Sequence, residues 1–356
     1  MNLRILLTVN EIRYTCGVTS HVSSLIEVLK SNKIEFEIIC GAGNRVEEFR
    51  ANGITVHSYD FIRHQNRSIF NFFRSLFQIS VIIFRFKPNI VHTHHHYQSF
   101  LVRVISFFYP VAVLQSNHGI IPKVTSIPIL SGHYFTVLNH NIKNHLLESG
   151  IKERNIFLIG HAMKVQLKKE KSHEIIRVIC ASRFSEEKRI VDFIQAVSKL
   201  SPQIKSKAQF EIAGEGELQN YLEVQIKING SEIILSKSYP DLTSRLLDTH
   251  IFVFTSQSQT EGLPITILEA GLSGNIVISS DYDGYDVILK HLENSVIYKN
   301  GNVDELTEWF ERIIVDYDSY KYCAENLYLT VSKNHSEEIF TESIIGIYRV
   351  IISDFN

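Results

Sequence analysis

Residues 3–41, "LRILLTVNEIRYTCGVTSHVSSLIEVLKSNKIEFEIICG", contain the pattern that decides the fold of this chain. Short apolar runs at 3–9 and 35–41 are typical of buried strands. Between them, residues 18–31 follow a glycine and repeat their apolar side chains at helical spacing. A strand, a helix and a second strand in this order predict a parallel sheet with helices on both faces.

The same alternation continues in two series, which a polar and basic stretch at 159–174 separates. Further strands are predicted at 53–59, 89–95, 112–118 and 134–140, and then at 175–182, 208–214, 231–236, 249–256 and 275–281. We therefore predict an α/β protein of two doubly wound, Rossmann-like domains that face each other across an interdomain cleft. Because ligands of open parallel sheets bind beyond the carboxyl ends of the strands, this cleft is the expected site.

The predicted domain bounds are 1–162 and 163–335, and residues 336–356 are predicted to form a last helix that packs toward the N-terminal domain. A chain of 356 residues with 44% hydrophobic and 21% charged residues suits two soluble globular domains. The four cysteines form no C-x-x-C pair, which predicts reduced thiols and no disulfide or zinc framework: Cys16, Cys40, Cys180 and Cys323.

The first apolar run and the most apolar later stretch are too short for export or for crossing a membrane. The first apolar run is shorter than a signal peptide requires, and residues 100–114 are too few to span a bilayer. We therefore expect a cytoplasmic protein that does not cross a membrane, and we expect no nucleic-acid partner.

Cations follow the first strand of the second series. Arg183 comes directly after residues 175–182, and Lys188 lies on the loop that enters the next helix. The next strand is followed by the glycine turn "AGEGEL", residues 213–218. Two cations beside several helix N-termini predict a site for an anion with more than one negative charge, such as a diphosphate.

The stretch "TEGLPITILEAG", residues 260–271, places two carboxylates around a helix start. Pro264 needs no backbone donor and suits the first turn, so the helix is predicted to begin near residues 263–265. The amides of Ile265 and Thr266 then have no helical partner and suit phosphate oxygens. Glu269 leans back toward the same end, where it suits a ribose diol, and Glu261 in the preceding loop suits a second polyol.

These motifs together resemble those of family 4 glycosyltransferases with the GT-B fold, over nearly the full length of the chain. "EGLPITILEA" is similar to the most specific signature of that family, and "ASRFSEEKRIVDFIQAV" to its R-x(4)-K segment. "FEIAGEGELQNYLE" is similar to its glycine turn, and "VHTHHHYQS" and "SNHGI" are similar to strand ends of its N-terminal domain. The order and spacing of these motifs make the resemblance specific.

The resemblance implies a retaining enzyme that transfers a sugar from a nucleotide-sugar without an essential metal. It implies that Arg183 and Lys188 hold the diphosphate and stabilise the leaving group, that Glu261 and His118 contact the transferred sugar, and that Glu269 binds the ribose. The N-terminal domain is then expected to bind the acceptor and the C-terminal domain the donor. The full set of expected donor-binding residues is Gly17, Gly214, Lys237, Glu261, Pro264, Ile265, Thr266 and Glu269.

Two departures from the family pattern concern the first loop and the hinge. The family usually carries a Gly-Gly pair where this chain has Cys16 and Gly17, and an Asn-Gly turn where this chain has "IGHAM". Simpler interpretations also remain for single residues: surface cations for Arg183 and Lys188, solvated carboxylates, turn glycines, and a core histidine for His118.

The run "HTHHH", residues 92–96, admits a metal as an alternative. If the strand continued through this run, alternation would place His92, His94 and His96 on one side as a ligand set. No acidic residue or cysteine is near in sequence, and the resemblance accounts for histidines at this strand end, so we expect no metal cofactor.

Three functions fit the sequence. The first is transfer of a hexosyl or N-acetylhexosaminyl group, with uridine preferred as the base and guanosine possible, to a glycan or lipid-linked acceptor in cell-surface polysaccharide or lipopolysaccharide synthesis. The second is a sugar-nucleotide epimerase of the same fold, and the third is a non-catalytic partner subunit. We favour transfer because Arg183, Lys188 and Glu269 are all present.

The charge distribution suggests one more partner. No acidic residue lies between Asp60 and Glu148, whereas eight basic residues do: Arg63, Arg67, Arg74, Arg85, Lys87, Arg103, Lys123 and Lys143. In residues 61–87 these cations alternate with phenylalanines, which fits either a core helix with solvated arginines or a surface against anionic lipid headgroups. The second interpretation predicts peripheral binding to the inner face of the plasma membrane.

Overall fold

The computed structural model describes residues 3–13, 17–120, 131–164, 171, 174–230, 232–239, 241–257 and 261–355. Two compact units make up the chain: Met1–Ala162 with Glu337–Asn356, and Met163–Ser336. Cys16, Lys123 and Thr260, which the sequence analysis named or quoted, lie outside the described residues.

The first unit is a seven-stranded parallel sheet in the order β3-β2-β1-β4-β5-β6-β7. Its strands are β1 (Arg4–Glu11), β2 (Glu35–Ala42), β3 (Val56–Ser58), β4 (Ile90–Thr93), β5 (Ala112–Asn117), β6 (Tyr134–Val137) and β7 (Ile156–Leu158). Its helices are α1 (Gly17–Ser31), α2 (Val46–Ala51), α3 (Ile69–Phe86), α4 (His96–Ser106), α5 (His140–Glu148) and, from the end of the chain, α13 (Glu337–Phe355). Six strands confirm the sequence prediction, whereas β7 was missed because it is a three-residue edge strand with one buried side chain.

The second unit is a six-stranded parallel sheet in the order β10-β9-β8-β11-β12-β13. Its strands are β8 (Ile176–Ala181), β9 (Ala208–Ala213), β10 (Ile233–Ser236), β11 (Ile251–Phe254), β12 (Ile276–Ser280) and β13 (Val296–Tyr298). Its helices are α6 (Ile190–Lys199), α7 (Pro202–Lys205), α8 (Gln219–Ile228), α9 (Leu242–Leu247), α10 (Ile265–Leu272), α11 (Val303–Val315) and α12 (Lys321–Asn334). Strand β13 was not predicted from the sequence.

The last helix belongs to the core of the first unit. Phe340, Ile344, Tyr348 and Ile351 of α13 are all buried and pack with the side chains of β1 and α1. Their spacing of four, four and three residues puts them on one face of the helix, so the helix covers one side of the sheet.

Each sheet has a point where the strand order reverses, between β1 and β4 in the first unit and between β8 and β11 in the second. In open parallel sheets, ligands bind beyond the carboxyl ends of the strands at such a point. The segments beyond these ends carry Gly17 and His94 in the first unit, and Arg183, Lys188 and Glu261 in the second. The topology therefore gives each unit one place where a ligand site is expected.

Candidate active site

Lys188 and Glu261 meet beyond the carboxyl ends of β8 and β11. Their side chains form an ion pair, and each is only 16% exposed. The Glu261 carboxylate also accepts a hydrogen bond of 2.8 Å from Ser256 Oγ, and Lys188 Nζ lies 5.5 Å from the centre of the Phe254 ring. An ammonium group has three donors, so Lys188 can hold Glu261 and a phosphate oxygen at the same time.

Two hydrogen bonds to backbone carbonyls fix the loop that carries Lys188. Thr255 Oγ1 donates to the carbonyl of Lys188 at 2.6 Å, and the amide of Gln257 donates to the carbonyl of Glu187 at 2.9 Å. These bonds attach the loop after β8 to the loop after β11. The position of the lysine therefore depends on residues about 70 positions further along the chain.

Arg183 occupies a more exposed place on the same loop. Its guanidinium is 66% exposed, and it donates to Glu187 at 2.6 Å and to Ser185 Oγ at 3.3 Å. Two of its five donors are thus directed within the loop, and the exposed group retains further donors for an anionic ligand.

The glycine turn after β9 packs its backbone against the Arg183 loop. A Cβ atom on Gly214 would lie 2.0 Å from the carbonyl oxygen of Ser182, and one on Gly216 would lie 2.3 Å from that of Phe184. The amide of Phe184 donates to the carbonyl of Glu215 at 2.9 Å. Both glycines are therefore required for close packing, and this contact positions the loop that bears Arg183.

Helix α10 begins at Ile265 with Pro264 as its N-cap, which confirms the predicted start. The amide of Ile267 donates to the carbonyl of Pro264 at 3.1 Å. Within the described part of the chain, the amides of Ile265 and Thr266 have no acceptor. They lie at the positive end of the helix dipole and suit an anion.

Glu269 is a half-buried carboxylate without a partner. Among the residues that the structure describes, none forms a hydrogen bond or an ion pair with it. Burial and, secondarily, the neighbouring charge of Asp241 raise the pKa of Glu269 to about 7. A carboxylate that the fold leaves unsatisfied at high cost is expected at a ligand site.

Lys237 is exposed on the loop that follows β10. An interaction that the sequence analysis missed lies beside this loop. The buried Glu211 accepts hydrogen bonds of 2.5 Å from Tyr239 and 2.9 Å from Arg245, which hold the pKa of Glu211 below its usual range although burial raises it. The available signal was a glutamate within the apolar strand "AQFEIA".

In the first unit, Gly17 is exposed at the start of α1, and His118 follows β5. His118 belongs to a cluster of histidines that also contains His21, His94 and His161. His94 Nδ1 lies 3.2 Å from His118 Nε2, and His21 Nδ1 lies 3.3 Å from His161 Nδ1. The sequence analysis missed His21 and His161, because each is a single histidine in an otherwise ordinary segment.

The alternative ligand set of His92, His94 and His96 does not form as strand alternation would place it. Strand β4 ends at Thr93, and His96 is the first residue of α4, so strand alternation does not extend through the run. Both ring nitrogens of His92 already have partners, since Nδ1 lies 2.9 Å from the Tyr348 hydroxyl and Nε2 lies 2.7 Å from Ser116 Oγ.

Two family models match consecutive parts of the chain. Residues 15–166 match "Glycosyltransferase Family 4", and residues 162–330 match "Glycosyl transferases group 1". The chain is a family 4 glycosyltransferase. This result decides against the epimerase and against the non-catalytic subunit.

The N,N'-diacetylbacillosaminyl-diphospho-undecaprenol alpha-1,3-N-acetylgalactosaminyltransferase of Campylobacter jejuni is 21% identical to this glycosyltransferase, over 90% of this chain and 91% of its own length. A glycosyltransferase from Rickettsia africae has a similar structure, with a TM-score of 0.80 at 19% identity over 99% of both chains. Anabaena HepE, solved in complex with UDP-glucose, gives a TM-score of 0.81 at 15% identity over 98% of this chain and 100% of its own. These similarities confirm the predicted GT-B fold of two Rossmann-like domains.

Proposed function

We propose that this glycosyltransferase is retaining and moves a hexosyl or N-acetylhexosaminyl group from a UDP-sugar to a lipid-linked or glycan acceptor in cell-surface polysaccharide or lipopolysaccharide synthesis. The observation that carries the donor part is the start of α10, where Glu261 and unpartnered Glu269 lie on either side of two amides without acceptors. Carboxylates suit the hydroxyls of the sugar and the ribose, and the amides suit the diphosphate between them.

The cations stabilise the leaving group. As the bond between the anomeric carbon and the diphosphate breaks, negative charge develops on the departing phosphate, and Arg183 and Lys188 donate to it. Such a donor is worth about 3–4 kcal/mol in the transition state. The acceptor hydroxyl attacks the anomeric carbon from the side of the departing phosphate, which takes up its proton, so the configuration is retained.

We further propose that no metal ion is required. Mg²⁺ neutralises diphosphate in many transferring enzymes, and here the guanidinium of Arg183 and the ammonium of Lys188 supply two positive charges on one loop. His118 contacts the transferred sugar from the first unit in this proposal, and Gly17 allows the start of α1 to approach the phosphate.

A panel of UDP-sugars and GDP-sugars tests the donor proposal. The pure enzyme is expected to hydrolyse one UDP-sugar slowly without acceptor, which is measured as release of UDP, and to give an α-linked product from an α-linked donor by NMR. Preference for a GDP-sugar would refute the choice of base. Inversion at the anomeric carbon would refute the retaining mechanism.

The acceptor proposal rests on the outer face of α3. Four phenylalanines on this face, Phe70, Phe73, Phe77 and Phe84, are 64–74% exposed. The opposite face is buried, with Ile79, Ile82 and Ile83 in the core of the unit. An apolar face of this size on the outside of a domain is typical of an interaction site.

The apolar face continues onto the end of α4. Phe107 and Phe108 are 74% and 88% exposed, and the rings of Phe84 and Tyr109 are 6.2 Å apart, which brings the end of α4 beside α3. Residues 69–86 are long and apolar enough to cross a membrane by length and composition. Spanning would remove the isoleucine face from its core, so we propose that α3 lies in the membrane interface.

Exposed cations surround this face: Arg67, Arg74 and Lys87, together with Arg85, which is 58% exposed but pairs with Glu37. Each basic residue near an anionic leaflet contributes about 1 kcal/mol of attraction. Arg63, which the sequence analysis included, is held by Glu11 and Asp60 and contributes little. The relative from Campylobacter jejuni is named for an acceptor linked to diphospho-undecaprenol, which supports a lipid-linked acceptor and a place on the inner face of the plasma membrane.

Vesicle sedimentation tests the membrane proposal. The wild type is expected to bind anionic vesicles at low salt and to leave them at high salt. The double variant Phe73→Ser/Phe77→Ser is expected to lose binding, whereas Ile228→Ser, which removes a 72% exposed side chain from α8 in the other unit, is expected to retain it. Equal binding by all three proteins, or none by the wild type, would refute docking through α3.

A further inference from the structure

Three histidines of the first unit bring one ring nitrogen each close together. These nitrogens, one each from His21, His94 and His118, all lie within 4.8 Å of one another. The residues come from three separate elements, α1, the end of β4 and the segment after β5. His21 and His94 are buried, 2% and 5% exposed, and His118 is half-buried.

The distance between two of these nitrogens matches adjacent ligands of one ion. His94 Nδ1 and His118 Nε2 are 3.2 Å apart. Tetrahedral zinc with Zn–N bonds of about 2.0–2.1 Å places adjacent ligand nitrogens about 3.3–3.4 Å apart. A fourth imidazole is close, since His161 Nδ1 lies 3.3 Å from His21 Nδ1.

One more nitrogen in the cluster has no partner. Nε2 of His21 is inaccessible to solvent and makes no hydrogen bond. Nε2 of His94 is also unpartnered, but it points away from the Nδ1 that faces His118, so the same ion would not contact it. A buried polar atom without a partner is costly and calls for an explanation by an ion or a ligand. Imidazole nitrogen is a ligand that zinc prefers, and three histidines with one open position are a common zinc set.

The histidines are uncharged at neutral pH, as ligands must be. Burial first, and the neighbouring histidines second, hold the pKa values of His21 and His94 well below the usual range, and burial lowers that of His118 to about 4.

A second group of histidines, His64, His95 and His96, is a poorer candidate although its nitrogens are similarly close. Arg67 contacts the His64 ring, and a fixed positive charge disfavours a metal ion. His95 Nδ1 already accepts a hydrogen bond of 3.2 Å from the amide of Tyr97. This second group serves as the matched control.

We propose that His21, His94 and His118 form a site for a zinc-type divalent ion, and that the ion blocks sugar transfer when it is bound. The blocking step rests on the proposed contact between His118 and the transferred sugar, because a nitrogen that ligates a metal cannot also bind a sugar hydroxyl. The binding step is independent of that function. Transfer itself needs no metal, so the ion acts as a reversible inhibitor.

Cobalt and zinc titrations of the metal-free protein, without any nucleotide, test the binding step. One Co²⁺ per chain is expected to bind with the intense visible absorption of tetrahedral coordination, and Zn²⁺ is expected to displace it. His21→Gln and His94→Gln are each expected to weaken zinc binding by more than about tenfold. Removal of a residue that only hydrogen-bonds to a metal ligand already costs about tenfold, and loss of a ligand itself costs more. The double control His64→Gln/His96→Gln is expected to retain both the stoichiometry and the spectrum.

Each outcome decides the proposal. Absence of binding by the wild type, an octahedral cobalt spectrum, or loss of binding in the control instead of the His21 and His94 variants would overturn it. Should a variant fail to fold, as judged by circular dichroism, the tetrahedral spectrum of the wild type and its retention in the control still support the site. If zinc bound at one ion per chain leaves UDP release unchanged, the proposed inhibition is wrong. If the zinc-free protein transfers no sugar, the proposed function is wrong, and the metal site is unaffected by that result.

Discussion

Replacement of Glu269 by glutamine is expected to stabilise the protein while it weakens donor binding. Burial and Asp241 raise the pKa of Glu269 from its ordinary 4.5 to about 7. A carboxyl group whose pKa is raised on folding disfavours the folded state at every pH above its unfolded pKa. Glutamine has the same shape and no charge, so Glu269→Gln removes this penalty.

The size of the effect follows from the shift in pKa. One pKa unit corresponds to about 1.36 kcal/mol, so a change from 4.5 to about 7 predicts a penalty of about 3 kcal/mol at pH 8. Since the folded carboxyl takes up its proton as the pH falls below 7, the penalty declines to about 2 kcal/mol at pH 6 and about 1 kcal/mol at pH 5. The advantage of Glu269→Gln over the wild type is expected to fade across that window.

Denaturant unfolding of both proteins at pH 8, 6 and 5 measures this difference. Glu223→Gln, which changes an exposed glutamate on α8 of the same unit, is the control and is expected to show no such trend. A variant that is less stable than the wild type at pH 8, or an advantage that does not change with pH, would show that folding does not raise the pKa of Glu269.

Calorimetry tests the functional half of the same prediction. Ribose hydroxyls donate to the ionised carboxylate, so the affinity of the wild type for its UDP-sugar is expected to rise about tenfold between pH 6 and pH 8, as the ionised fraction rises. The diphosphate of a UDP-sugar does not titrate in this range. Glu269→Gln is expected to bind more weakly and without this pH dependence, and an unaltered affinity would refute the ribose assignment.

The remaining predictions concern the cations, the glycine turn and metal dependence. Arg183→Ala and Lys188→Ala are each expected to lower kcat about 100-fold. Arg183→Ala is expected to leave the Tm nearly unchanged, because that side chain is 66% exposed. Lys188→Ala is expected to lower the free energy of unfolding by about 1–3 kcal/mol, because Glu261 loses its ion-pair partner. Unchanged turnover would refute the diphosphate assignment. Gly214→Ala is expected to lower the free energy of unfolding by about 3 kcal/mol, measured with denaturant, because its Cβ would lie 2.0 Å from a backbone oxygen. The control Gly346→Ala places its Cβ in open space and is expected to stabilise α13. Activity is expected to survive EDTA, and lasting inactivation by the chelator would refute metal-free transfer.

The sequence by itself determined the features that depend on neighbouring residues. Alternation of apolar runs with helical spacing predicted eleven of the strands, because strand and helix periods are local properties of the chain. The start of α10 was predicted from Pro264 for the same reason: a proline restricts its own backbone and that of the residue before it. The two carboxylates around that helix start could be named from their spacing alone.

Only the tertiary structure decided which distant side chains meet and which faces remain exposed. Lys188 pairs with Glu261, which is 73 positions further along the chain, and His21 contacts His161, which is 140 positions further. At such separations the spacing of residues in the sequence does not predict which side chains are close in space. The raised pKa of Glu269 depends on burial, which the whole unit creates. The outward face of α3 was also undecided, because a helix with phenylalanines on one side and isoleucines on another does not specify which side the core covers. Only packing against the sheet shows that the phenylalanines point away from it.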